Sequence, residues 1–304
     1  MRAEDPQGAS AEPQTPRSTP ETGPLLRVLG VAQDAGVPQL GCRCTRCSEA
    51  RADGTEFFAA SVGLSDGEGH VYLFDATPDI RAQVPMMREL LDDERRVAAR
   101  VRRPVDGIFL THGHMGHYAG LLHLGFEAAH ADGVSVYGTT RMIELLRSQA
   151  PWSQLIDKGE LAPEVLTDAS RVSLGEVSVR PVTVPHRAEF TDTVGYVLEG
   201  PRRSALYLPD VARWEQVEDV AGLVKDIDLL LVDGTFFSGG ELPGRDLAEI
   251  GHPLVQDSMA RFQDRVAAAS LKVVFIHLNH TNPLLDPDSP ARKEVESRGF
   301  EVAA

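Results

Sequence analysis

Short apolar runs broken by Gly, Pro and Asp alternate along the chain with longer stretches of helical spacing. In the first half, residues 25–31, 59–64, 71–74 and 105–110 read as strands, because β-branched and aromatic residues cluster there and stop at turn formers. The Gly- and acid-rich stretch 63–69 suits a hairpin connection. Residues 86–100 and 116–130 have helical periodicity, 134–137 predicts another strand, and 140–150 predicts a helix that stops before Pro151. The second half repeats the theme. Strands are expected over 177–184, 193–199, 204–208, 229–232 and 272–277, with helices over 256–269 and 289–297. Two consecutive strand-rich halves, each followed by helices, predict an α/β protein in which two sheets pack face to face with helices outside, an αββα sandwich.

Composition places this pattern in one domain. Residues 1–23 are rich in Pro, Ser, Thr, Glu and Gln, lack an apolar stretch, and are expected to form a disordered tail. The remainder, 24–304, contains no linker-like segment and reads as a single domain. No apolar run is long enough to cross a bilayer. The net charge of −15 disfavours long nucleic acids. The nearest basic patch (Arg95, Arg96, Arg100, Arg102 and Arg103) is interleaved with Asp92, Asp93 and Glu94 and reads as a solvated helix face. The expected partners are therefore a small-molecule substrate and, at most, a second copy in a homodimer, with no membrane. The three cysteines all fall within six residues, Cys42 to Cys47. An odd, clustered set is not a disulfide framework; it reads as a metal site in a reducing, cytoplasmic compartment.

The most pointed chemistry is Thr111-His-Gly-His-Met-Gly-His-Tyr118, directly after an apolar strand. Histidines at i, i+2 and i+5 at a strand-to-helix turn can aim their imidazoles at one point, and neutral imidazole is a preferred zinc ligand. Cys42, Cys44 and Cys47 supply three thiolates for a second, structural zinc; His280 is the candidate for its fourth ligand.

The histidine segment resembles the His-x-His-x-Asp-His signature of the metallo-β-lactamase superfamily, and the resemblance spans roughly residues 25–302. It implies two mixed sheets in the sandwich and a ligand set in which His186, Asp210 and His277 join His112, His114 and His117. By that analogy His112, His114 and His186 hold a first metal with Asp210 beside it, and His117, Asp210 and His277 hold a second. Gly116 stands where the family has a metal-binding Asp, so the expectation is one tight catalytic zinc and a weak or absent second ion, with iron or manganese as alternative metals. The thiolates with a late His-x-x-His resemble the phosphodiesterase of the carbon–phosphorus lyase pathway, in which the second late histidine closes a structural zinc. Further segments, including Ala76-Thr-Pro-Asp-Ile-Arg81, Leu231-Val-Asp-Gly-Thr-Phe236 and Ile276-His-Leu-Asn-His-Thr-Asn-Pro283, resemble pyrroloquinoline quinone (PQQ) synthesis protein B. That family often lacks the full triple-histidine signature, which this chain keeps.

Asp233 closes a strand and either faces the cleft or caps the following turn. His252, in a Gly-rich loop, can serve as a proton donor because imidazole titrates near neutrality. Trp152, Phe236 and Phe237 can line a pocket, with core packing the default for each. The implied reaction is metal-assisted hydrolysis of a small ester, lactone, amide or phosphodiester by a zinc-activated hydroxide, with Asp210 orienting the nucleophile and His252 or His277 protonating the leaving group. The alternatives are an iron-dependent oxidoreductase of quinone-cofactor synthesis and a non-catalytic, metal-containing carrier.

Overall fold

The computed structural model describes residues 23–89, 91, 102–241, 244 and 251–303. Its first sheet contains β1 (Leu25–Gly30), β2 (Ser61–Ser65), β3 (Val71–Phe74), β4 (Gly107–Phe109), β5 (Val134–Thr139) and β6 (Leu161–Leu166), hydrogen-bonded in that order. The second contains β7 (Val172–Leu174), β8 (Val177–Val184), β9 (Thr193–Glu199), β10 (Ser204–Leu208), β11 (Leu229–Asp233), β12 (Lys272–Ile276) and β13 (Glu301–Val302), also in chain order. Both sheets are mixed. Each begins with antiparallel pairs and ends with parallel ones, from β3 onward in the first and from β10 onward in the second.

Strand direction decides where side chains for a site can gather. β1, β3 and β4 run the same way, as do β8, β10, β11 and β12. Their C-terminal ends therefore share one rim in each sheet, and every candidate ligand outside the thiolate cluster follows one of these ends.

Between the sheets lies an apolar layer built on Val62, Phe74, Phe109, Tyr196, Tyr207 and Ile276. Phe74 stacks on Phe109 at 4.9 Å and Phe109 on Tyr137 at 4.4 Å, while Tyr196 and Tyr207 meet Phe74 edge-on. The phenols would be costly to bury unpaired. Tyr196 donates to the Leu110 carbonyl at 2.7 Å, and Tyr207 donates to Asp75 Oδ2 at 3.1 Å. Both bonds bind the second sheet to the rim of the first. Two outer layers complete the sandwich: helices Ile80–Arg88 and Thr140–Ser148 pack on the first sheet, and Val255–Ala267 and Pro290–Ser297 on the second.

The expected strands form, shifted by a few residues at their ends. A helix over Ile80–Arg88, with Pro85 inside it, overlaps the start of the one expected over 86–100, and the rest of that expectation, residue 90 and residues 92–101, lies outside the described residues. Of the basic patch, Arg102 and Arg103 are described, and both bind backbone carbonyls between His130 and Gly133. Another expected helix differs: that over 116–130 is only one turn, Met115–Tyr118, followed by a 3-10 segment, Ala119–Leu124. The reason is a competing hydrogen bond: Gly120 gives its N–H to the Ala76 carbonyl at 2.8 Å, which breaks the helical ladder. The expected tail is described only at Gly23. No helix among the described residues is long and apolar enough to cross a membrane.

Candidate metal centre

The segment after β4 is pinned before its histidines begin. Asp75, just past β3, accepts hydrogen bonds from the Thr111 N–H at 2.8 Å and the Thr111 hydroxyl at 2.9 Å, and Gly113 N–H donates to Thr191 Oγ1 at 2.8 Å. Each imidazole then has one nitrogen occupied and the other aimed inward. Thr111 Oγ1 lies 2.9 Å from His112 Nδ1, Asp75 Oδ2 lies 2.8 Å from His117 Nδ1, and Glu189 Oε2 lies 3.2 Å from His114 Nε2. An occupied outer nitrogen fixes ring orientation and tautomer, which is what a histidine ligand requires.

The second sheet brings the remaining groups to the same point. Asp210, two residues past β10, is buried with Oδ1 3.4 Å from His186 Nε2 and Oδ2 3.1 Å from His117 Nε2 and 3.3 Å from His277 Nε2. The outer nitrogen of His277 is met by Thr235 Oγ1 at 3.1 Å. Asp233 both faces the cleft and caps a turn. It caps the following turn by accepting from Thr235 N–H and Oγ1, and it binds His252 Nδ1 at 2.6 Å. His252 faces the centre, its ring 5.1 Å from that of His186 and 6.0 Å from that of His277. The aromatic residues are packed as expected: Trp152 against Tyr118, Phe237 in the outer core, and Phe236 buried with its ring 6.4 Å from that of His252.

Electrostatics follow from burial and from these carboxylates. Burial drives His112 well below the ordinary imidazole range and His186 down to about 4, so both are neutral donors. Burial also opposes charge on His117 and His252, but carboxylates prevail there: Asp75 and Asp210 hold His117 well above its usual value, and Asp233 pushes His252 up to about 9. Asp210 is held well below the carboxylate range by His277 and His117, against its burial.

Asp34 and Asp75 are not anticipated by the sequence pattern, yet both belong to the centre. Asp34 Oδ1 lies 3.5 Å from His117 Nε2, and Asp34 groups with His117 and His277 as a set able to hold a metal. Asp34, Asp75 and His277 all have positive φ, at 32°, 69° and 64°. Such a conformation costs about 1–3 kcal/mol per non-glycine residue, and its occurrence at a single rim marks strain held for geometry. Asp75 is a positioning residue. Asp75→Asn is expected to weaken zinc binding at the centre about 10–100-fold, the usual cost of losing the partner of a ligand histidine, measured by competitive zinc titration. An unchanged affinity would show that His117 needs no such orientation.

The thiolate cluster forms separately, at the N-terminus of helix Thr45–Asp53. His280 Nδ1 lies 3.7 Å from Cys42 Sγ, 3.5 Å from Cys44 Sγ and 3.6 Å from Cys47 Sγ. A tetrahedral zinc with bonds of about 2.3 Å to sulfur and about 2.0 Å to nitrogen requires S···N edges of about 3.5 Å, so the donor set, at 3.5–3.7 Å, fits that ion. Burial raises the Cys47 thiol to about 11, so a bound metal would displace its proton.

The histidine centre passes a similar test. Buried His117 Nε2, His186 Nε2, His277 Nε2 and Asp210 Oδ2 have no hydrogen-bond partner among the described residues. Buried polar atoms without partners are rare and costly. The same atoms face one another across distances suited to a shared cation.

Residues 70–278 match the model of the Beta-lactamase superfamily domain. The chain is 31% identical to coenzyme PQQ synthesis protein B of Stutzerimonas stutzeri, over 91% of this chain and 97% of that one. Among solved structures it is similar to zinc-bound PqqB from Methylobacterium extorquens, with a TM-score of 0.76, 26% identity and coverage of 91% and 97%. It also resembles in fold a diphosphatase of the PhnP family, with a TM-score of 0.62, 22% identity and coverage of 92% and 94%.

Proposed function

The chain belongs to the β-lactamase superfamily and has the metallo-β-lactamase fold, and from that membership we propose that it is a metal-dependent hydrolase of a small ester, lactone, amide or phosphodiester, with zinc as its resident metal. The observation that carries this reading is the set of buried donor atoms on His117, His186, His277 and Asp210 that make no hydrogen bond and converge within ion-pair distance of one another. The zinc-bound relative supports the choice of metal. When bound, the metal supplies Lewis acidity to a carbonyl or phosphoryl oxygen and acidifies water.

The chain's own residues then divide the work. His112, His114 and His186 with Asp210 hold one position. His117 and His277 with the other oxygen of Asp210 face a second. Asp210 keeps one negative charge among these imidazoles and is placed to orient a nucleophile. His252, fixed through Nδ1 by Asp233, holds a proton beside the centre for a leaving group. Four donors converging between residues 42 and 280 support a structural zinc and suit a reducing, cytoplasmic setting.

The test is metal quantification on protein purified without added metal, followed by a panel of esters, lactones, amides and phosphodiesters with the metal found. Hydrolysis is expected, and His114→Ala is expected to abolish it with circular dichroism unchanged. Full activity in that variant would overturn the reading. Similarity to a cofactor-synthesis protein favours one alternative: iron in the purified protein, with oxygen consumed on a tyrosine-bearing peptide, would replace hydrolysis by oxidation. Inactivity with tight retention of a small molecule would identify a carrier.

A further inference from the structure

We propose that Asp34 is a metal ligand, supplying to the second position of the histidine centre the carboxylate that Gly116 lacks. The inference rests on the metallo-hydrolase reading and changes one expectation within it, the weakness of the second ion.

Gly116 and Asp34 fit each other as a pair. A Cβ built on Gly116 would press on Asp34 Oδ1 and lie 2.5 Å from the Asp34 Cα and 2.9 Å from its Cβ. Such approaches exclude any side chain at 116 while Asp34 keeps its place. The volume that a motif aspartate would enter is therefore filled, and it is filled by a carboxylate from the turn that follows β1. Asp34 Oδ1 lies 3.5 Å from His117 Nε2, the same nitrogen that faces Asp210 Oδ2 at 3.1 Å.

The donor count then becomes even. Asp210 Oδ1 faces the side of His186, where His112 and His114 also converge, and Oδ2 faces His117 and His277. With Asp34, the second position has two imidazoles and two carboxylate oxygens. That is a charge-compensated set for a divalent ion with nitrogen and oxygen preferences. Asp34 is also held in place. Ala32 bridges to both Ala59 and Leu278, Gln33 N–H donates to the Leu278 carbonyl at 2.9 Å, and Asn279 Nδ2 donates to Gln33 Oε1 at 2.7 Å. These bonds lock the Asp34 segment to the one carrying His277. Asp34 remains 38% exposed in its side chain, so its charge enters the centre without full loss of water.

A simple ion pair with His117 is the competing role, and metal stoichiometry separates the two. Stripped wild-type protein, titrated with zinc and assayed by elemental analysis, is expected to bind one ion at the thiolates and two at the histidines. Asp34→Asn keeps the side-chain size and tolerates the positive φ. It is expected to lose one histidine-centre ion and retain the other two. If Asp34→Asn binds the full complement with wild-type affinity, Asp34 is only an ion-pair partner and the proposal fails. If wild type binds one ion at the histidines, the proposal fails while the hydrolase reading stands. Wild type binding zinc at the thiolates alone would overturn both.

Discussion

Asp210→Ala is expected to empty the histidine centre of metal and to lower turnover by about three orders of magnitude or more, with the sandwich intact. Asp210 is the carboxylate that faces both groups of histidines, at 3.1–3.4 Å. Without it the centre would pack His112, His117, His186 and His277 together with Asp34 as the remaining carboxylate at the metal positions. Removing one partner from a buried charge cluster typically costs about 3–5 kcal/mol, and here the cost falls on the bound cations. The metal's contribution to stabilising charge in a transition state is several kcal/mol. At about 1.4 kcal/mol per tenfold change in rate, its loss accounts for the expected drop. The fold should survive because the rim is held by other bonds, including Val211 N–H to Asp233 and Tyr207 to Asp75. Zinc content and single-turnover rates on the substrate class identified by the panel check the two halves together. Retention of both ions would show that Asp210 does not join the two positions.

Much of the site was legible because its ligands share one grammar: an apolar strand that ends in His or Asp at the rim. β4 leads to His112, β8 to His186, β10 to Asp210, β11 to Asp233 and β12 to His277. Asp75 follows the same rule after β3, but in Phe-Asp-Ala-Thr-Pro it reads as an ordinary turn residue. Asp34 sits in a turn beyond the end of β1 rather than at it, and its role depends on a spatial neighbour, Gly116, distant in sequence. The usable signal was the glycine itself, a missing carboxylate with nothing local to replace it. Among elements, the inner strands were legible because two-sided burial makes them apolar, whereas β6, β7 and β13, at the sheet edges and partly exposed, were not anticipated. Helix Thr45–Asp53 was not, since its sequence is dominated by charged residues and only Cys47 and Ala50 are buried. Its place in the fold comes from the thiolate cluster rather than from an apolar stripe.

That dependence sets the second large effect. Cys44→Ala is expected to release the thiolate zinc and lower the melting temperature by about 8–16 °C at saturating zinc. Bound ligand at about 1,000 times its Kd contributes about 4.1 kcal/mol, and in domains of this scale each kcal/mol shifts the midpoint by about 2–4 °C. The loss should not stay local. The zinc would join Cys42, Cys44 and Cys47 to His280, and these residues extend the two segments that present Asp34 and His277. With the clamp open, the Ala32–Leu278 bridge holds those segments together with less support. Zinc affinity at the Asp34–His277 position should therefore weaken, while the position built on His112, His114 and His186 keeps its ion. Differential scanning calorimetry and zinc titration of the same variant test both consequences. An unchanged melting temperature with full metal content would refute the clamp. A lowered melting temperature with both histidine-centre ions bound as in wild type would confine the thiolate zinc to stability and uncouple it from the catalytic rim.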